Sequence, residues 1–501
     1  MTVSKSQIQV SGKRSWRAAS VALVVIVVAG CLLMGASSAS AATSFQTGLY
    51  DPMASAGGPG LLYAYLQPEL AFTKARAAGT TRTRLLLYWS RIARSRPANP
   101  ADPNDPAYFW HDPGYNFDAQ VSTALSHGLQ PFVTVLSAPP FAECDNKGDV
   151  SGQCPERSGY NGGTYKPDPA QLALFMEAAA KRYLGKVRAW GVWNEPNAVF
   201  FLSPTEDAAG NHVSVARYRD MVNLAATRLH AIDSRLLVQA GGPSPFGRSD
   251  SQGVETTIPP LTFMRELLSQ PIRFDIWSNN PYTAGGPSHS AYRANDVSIG
   301  DLPDARRVLR AAIANNRVIS TRKVAFWVTE FSWDSKPPDP CGVPTALHTR
   351  WVSEAPYRMW RAGVSVLMWT QLKDYPFIRG RIPYQGGLYS WGGNGQIGPP
   401  KGAMRAFRFP FVALKRPGGA YVWGRTPWGK AGRVKIQKKT SRGWVTVRTF
   451  RTNGNGIFQR RLYFSISSSG RMRARRAGSS LSSVGFSLKP TKSQIIQPLG
   501  C

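Results

Sequence analysis

Short apolar runs recur between residues 42 and 410, and most are followed by a stretch whose apolar positions fall three and four apart. The runs at 42–50, 84–88, 132–136, 187–193, 236–240, 274–278, 324–333 and 364–370 are too short for helices. They carry the β-branched and aromatic residues of strands buried on both faces. The intervening spacing predicts helices over 69–78, 168–185, 215–232, 261–268, 304–314 and 347–361. The second of these has the clearest signals: Asp168 as cap, Pro169 at the first helical position, Leu172, Phe175, Met176, Ala179 and Tyr183 on one face, and Gly185 as stop. Strand and helix in alternation is the pattern of a parallel α/β fold. The Pro- and Asp-rich segment 96–114 reads as a long loop on the rim of a cleft. Its Asp102, Asp105 and Asp112 lack the spacing of a calcium loop.

Beyond Phe411 the period changes to two. Residues 421–424, 433–437, 444–450, 456–464 and 472–475 are short alternating runs separated by Gly, Asn and Ser, which predicts a small all-β module of sandwich type. A chain of 501 residues, 43% apolar, has the length for two domains and the material for a large core.

The first forty residues add a targeting signal. Lys13, Arg14 and Arg17 precede an apolar run from 18 to 35, and Ala39-Ser40-Ala41 follows, as in a secretory signal cut after Ala41. A membrane anchor is the alternative, as is a lipid tether through Cys31, because Val28-Ala29-Gly30-Cys31 resembles a lipobox. Cutting after Ala41 leaves Cys144, Cys154, Cys341 and Cys501, an even number in an exported chain. Cys144 and Cys154 flank a short loop and form the natural pair, which leaves Cys341 for Cys501; four cysteines allow three connectivities. The net charge of +32 is concentrated in the tail, where residues 415–501 hold 19 Lys and Arg and no Asp or Glu. Such a segment attracts polyanions, an anionic cell-envelope polymer among them, or is simply a solvated basic surface.

The chemistry sits in residues 187–197, VRAWGVWNEPN. Pro196 lacks an N–H and disfavours helix before it, so the strand ends near Glu195 and leaves a carboxylate at its C-terminal end. A second carboxylate, Glu330, closes VAFWVTEFSW 135 positions later. WGVWNEPN resembles the Asn-Glu-Pro signature of glycoside hydrolase clan A, with families 5 and 39 nearest in pattern. That resemblance implies a (β/α)8 TIM barrel, with catalysis at the C-terminal ends of its strands. It also implies a retaining β-glycosidase with Glu195 as acid/base and Glu330 as nucleophile, about 5–5.5 Å apart. By the same resemblance Asn194 hydrogen-bonds the sugar 2-hydroxyl, Tyr282 the nucleophile, Arg84 keeps the nucleophile ionised and Trp369 forms the floor under the sugar ring. Asn280 departs from the pattern, since many relatives have His there.

The expected organisation is a signal at 1–41, a barrel at 42–414 and a basic β-module at 415–501. The expected activity is hydrolysis of the O-glycosidic bonds of a poly- or oligosaccharide by a secreted enzyme. A non-catalytic polysaccharide- or envelope-binding protein on the same barrel is the alternative. Neither a cofactor nor a catalytic metal is expected, and no specific nucleic-acid partner. The six histidines are scattered, and no GxSxG, HExxH or Walker sequence occurs. Gly393 to Gly398 spells GxGxxG, but Pro399-Pro400 follow where a helix should open.

Overall fold

Eight short parallel strands close on themselves: β1 (Gln46–Tyr50), β2 (Arg82–Tyr88), β3 (Gln130–Leu136), β4 (Ala189–Val192), β5 (Leu237–Gly241), β6 (Ile276–Asn279), β7 (Ala325–Val328) and β8 (Val366–Thr370). They pair in sequence order, and β8 returns to β1. Each strand is followed by a helix: α1 (Pro68–Ala77), α2 (Phe117–Ser126), α3 (Pro169–Arg182), α4 (Val213–Ile232), α5 (Pro260–Leu267), α6 (Leu302–Ala314), α7 (Thr345–Arg361) and α8 (Gly402–Arg408). This computed structural model describes residues 41–51, 68–112, 114–143, 162–377, 385–394, 396–491 and 495–496. The fold is the expected (β/α)8 barrel with a C-terminal β-module.

Strand lengths follow from what the barrel buries. All four residues of β4 and all five of β8 are buried, as in a sheet covered on both faces. The helices supply the outer cover through one face each, and α3 starts as its sequence says: the Asp168 side chain accepts the amides of Ala170 and Gln171.

Two helices were not visible in the hydrophobic pattern. α2 is only ten residues long, and its signals are Asn116, whose side chain accepts the Ala119 amide, and buried Phe117, Val121 and Ala124. α8 opens at Gly402 in spite of Pro399-Pro400, because those prolines lie in a hairpin strand, Ile397–Pro400, paired antiparallel with Tyr389–Trp391. The GxGxxG match therefore spans this hairpin. The segment 96–114 is anchored to α3: Trp110 is buried and stacks on Phe175 at 5.8 Å between ring centroids. Its aspartates serve turns, Asp105 accepting the amides of Asn99 and Ala107 and Asp112 that of Gly114.

The C-terminal region forms two antiparallel sheets. One contains β9 (Phe411–Arg416), β10 (Gly419–Arg425) and β13 (Ile457–Tyr463). The other contains β11 (Arg433–Thr440), β12 (Gly443–Arg451), β14 (Arg471–Arg476) and β15 (Phe486–Ser487). Phe450 of one sheet meets Phe458 of the other at 5.9 Å. The sheets pack against the barrel through Trp423, which is fully buried among Phe45, Tyr357 and Trp360, with ring centroids 6.3, 5.6 and 5.5 Å away. Arg425, also buried, donates to the Thr47 hydroxyl on β1 at 3.1 Å, and burial lowers its pKa to about 10. β9 runs across position 414, so the start of the module is shared with the strand leaving α8.

Candidate active site

Three of the strand exits carry strained backbone. Ser137, Trp193 and Gln371, the first residues after β3, β4 and β8, have φ of 61°, 66° and 70°, and Glu195 has φ 39°. None is glycine, and left-handed conformations of this kind cost about 1–3 kcal/mol each. At Trp193 and Glu195 the strain turns the chain sharply between β4 and Pro196 and sets the carboxylate at the mouth of the barrel.

Arg84, in the middle of β2, is only 3% exposed. Its fork is fully used: Nε donates to Thr134 on β3 at 2.9 Å, Nη1 to Glu330 Oε1 at 2.6 Å and Nη2 to Asn194 Oδ1 at 2.8 Å. The Tyr50 ring lies 4.6 Å from the guanidinium. The other oxygen of Glu330 accepts from the Tyr282 hydroxyl at 3.2 Å, which is itself 3.0 Å from the Thr370 hydroxyl. Thus Glu330 faces a full positive charge on one side and a phenol on the other.

Glu195 has a different environment. Its Oε1 accepts from Asn280 Nδ2 at 3.0 Å, and the Ser244 side chain is a further partner. Burial, followed by the negative charge of Glu330, pushes its pKa up to about 8; Asn280, Arg84 and Ser244 only partly oppose this. The two carboxylates share one field and have opposite surroundings, which is the arrangement that separates an acid from a base. Burial and the Glu330 charge also raise the Tyr50 hydroxyl well above the ordinary phenol range, so it stays protonated beside the pair.

The structure brings together Glu195, Glu330, Arg84, Asn194 and Tyr282. It does not bring Trp369 to them. That ring is 1% exposed, its Nε1 donates to the Gly386 carbonyl at 2.8 Å, and it packs on Phe331 of the β7 exit and Phe407 of α8. Trp369 faces the strand–helix layer, whereas its neighbour Thr370 faces the site; a platform for a sugar needs an exposed face, and this ring has none. Asn280, which the sequence marked only as a departure, is the amide that holds Glu195. Its Oδ1 is fixed by the Thr329 hydroxyl at 2.9 Å, so its NH2 points at the carboxylate. Ser244 and Tyr50 were missed altogether, since nothing in their local sequence distinguishes them from other strand-exit residues.

Cys341 is disulfide-bonded. Cys144, Cys154 and Cys501 lie outside the described residues, as do Cys31 and the signal segment. No helix among the described residues is long and apolar enough to cross a membrane.

No protein-family model matches the chain, and no curated protein does. Solved structures with a similar trace include a family 39 glycoside hydrolase from Bacteroides cellulosilyticus WH2, at 15% identity and a TM-score of 0.48 over 83% of this chain and 79% of that one. A glucosidase from Croceicoccus marinus matches at 13% identity and 0.45, covering 85% of this chain and 95% of its own. The catalytic domain of a family 30 xylanase from Talaromyces cellulolyticus matches at 13% and 0.42, covering 84% and 95%.

Proposed function

We propose that this protein is a retaining β-glycosidase acting on a poly- or oligosaccharide, with Glu330 as nucleophile and Glu195 as acid/base. The observation that carries the reading is the asymmetry of the pair: Glu330 is held by Arg84 and Tyr282, while Glu195 has a pKa near 8. In the first step a Glu330 oxygen attacks the anomeric carbon as the glycosidic C–O bond breaks, and Glu195 gives its proton to the departing oxygen. The product is a glycosyl ester of Glu330. Glu195, now ionised, takes a proton from water, whose oxygen displaces Glu330 and releases the sugar. Asn194, held by Arg84 at 2.8 Å, is the proposed partner of the sugar 2-hydroxyl.

The direct test uses two variants and a series of aryl β-glycosides. Glu330→Ala should abolish turnover on every substrate. Glu195→Ala should retain turnover where the leaving group is good, and azide should rescue it. Equal loss with every leaving group, without rescue, would refute these roles, and absence of turnover by the unaltered chain would favour a non-catalytic sugar-binding protein.

The same proposal includes export through residues 1–41 and two disulfides, Cys144–Cys154 and Cys341–Cys501. The second pairing is supported by the C-terminal residues returning to the catalytic side, where the Ile496 amide donates to the Ala284 carbonyl at 2.7 Å in the loop after β6. The basic module, with its 19 cationic side chains, would hold the enzyme near anionic envelope polymer through contacts that weaken with salt.

A further inference from the structure

His212 stands immediately before α4, at the end of the loop that follows Glu195, and three carboxylates converge on its ring. Nδ1 is 2.7 Å from Glu266 Oε2, on α5. Nε2 is 3.1 Å from Glu255 Oε2, in the hairpin after β5, and 3.7 Å from Glu206 Oε1, in His212's own loop. One imidazolium can neutralise only one of these charges. The chain has 61 Lys and Arg against 29 Asp and Glu. Yet among the described residues no lysine or arginine side chain pairs with Glu206, Glu255 or Glu266; their ion-pair partner is His212. Arg219 donates to the Glu266 carbonyl and feels its charge, which leaves Glu206 and Glu255 with His212 as their cation.

The geometry fits a further cation. With Nδ1–H donating to Glu266, Nε2 either carries a second proton donated to Glu255 or, as a lone pair, faces two carboxylate oxygens across a gap that a cation would fill. Ligands bound to zinc at about 2.0–2.1 Å occupy tetrahedral corners about 3.3–3.4 Å apart. The two Nε2–oxygen separations bracket that edge, and all three ligand atoms lie within 4.8 Å of one another. Glu266 then occupies the place of the carboxylate that orients a metal-bound imidazole through its other nitrogen. One nitrogen and two carboxylates suit zinc or a similar transition ion, whereas calcium takes six to eight oxygens.

We propose that His212 Nε2, Glu206 and Glu255 form a binding site for a divalent transition cation of the zinc class, with Glu266 orienting the imidazole. The cation ties the loop after β4 to the hairpin after β5. The first loop carries Glu195 and the second region carries its partner Ser244, and the same junction already holds the Asn197 side-chain amide on the carbonyls of Ser244 and Ile258. The role is structural, apart from the glycosidic chemistry, and it does not depend on the glycosidase reading. Sequence spacing could not show it, because the four residues come from three separate segments of the chain.

The test is calorimetric titration of the chelator-stripped full chain with zinc chloride, alongside Glu206→Gln, Glu255→Gln and Glu266→Gln, each checked for native circular dichroism. The expected result is one equivalent bound by the unaltered chain, with a rise in its thermal midpoint. Affinity should fall by at least 100-fold in the Glu206 and Glu255 variants, and by about 10–100-fold with retained stoichiometry in the Glu266 variant. Cobalt(II) in place of zinc should give the intense visible absorption of a four-coordinate site. No heat above dilution with an unchanged midpoint, or equal zinc affinity in all four proteins, would overturn the proposal and leave a protonated histidine as the only cation there. If a glutamine variant misfolds, His212→Gln with the cobalt spectrum decides: unaltered absorption overturns the site and its loss supports it.

Discussion

Arg84 Nη1 lies 2.6 Å from Glu330 Oε1, a contact made across the barrel interior by side chains 246 positions apart and both withdrawn from solvent. Because Arg84 also binds Asn194 and Thr134, its guanidinium sets the positions of two functional groups at once. Arg84→Lys keeps the charge but cannot reproduce the fork. It is expected to lower kcat on the order of 10²-fold, the range for losing one preorganised electrostatic contact. Arg84→Ala should also destabilise the fold by about 3–5 kcal/mol, since it leaves Glu330 buried without its partner. Kinetics and urea titration of both variants check this; wild-type kcat in Arg84→Lys would show that the fork has no part in the reaction.

The pH dependence follows from Glu195. In its proposed role as the acid, with a pKa of about 8, it must be protonated when the substrate binds, so kcat/KM should fall as pH rises through about 8. Asn280 lowers that pKa by donating to the carboxylate. Asn280→Ala should therefore move the alkaline limb to higher pH, a shift visible in kcat/KM profiles measured to about pH 10. A limb that stays in place or moves down would separate it from the Asn280–Glu195 contact.

Stability should carry the same signature. A carboxyl whose folded pKa lies above its unfolded value near 4.5 favours the fold fully at low pH. That contribution disappears as pH climbs from about 4.5 to about 8, because the unfolded chain gives up the proton first. Glu195→Gln has no proton to lose. Relative to the unaltered chain it should gain stability across that window and level off above pH 8, as read from chemical denaturation at pH 4 and pH 9. A constant difference between the two proteins at both pH values would contradict the shift.

The basic module is bound to the barrel by more than charge. Trp423 fills a space between Phe45, Tyr357 and Trp360, so Trp423→Ala should cost about 3–5 kcal/mol, the usual range for a buried tryptophan. A chain ending near Leu414 should expose these rings and aggregate. Calorimetry of the point variant tests the packing; a loss under about 1 kcal/mol would mean that the module is a detachable appendage.

Much of this was legible in the sequence because two periods and two carboxylates are local features. The eight apolar runs each became a barrel strand, although β4 ends at Val192, where left-handed Trp193 turns the chain, short of the end expected near Glu195 from Pro196. What escaped had a different physical basis. α2 is too short for its spacing to stand out beside a Pro-rich segment. Whether Trp369 faces the barrel mouth or the helices is set by a one-residue alternation that an all-apolar strand such as VLMWT conceals. Asn280 and Ser244 act on Glu195 from other strand exits, and only the closed barrel brings them near it.

In the proposed reaction Glu330 forms a covalent bond to the sugar while Glu195 moves the proton. The most direct measurement is mass spectrometry of the full chain after incubation with a 2-fluoro aryl β-glycoside, followed by proteolysis and peptide sequencing. One sugar residue should be added per chain, located on Glu330, absent in Glu330→Gln and slow to hydrolyse. Turnover of the fluoro sugar with no adduct, or a label on Glu195 or any other side chain, would contradict it.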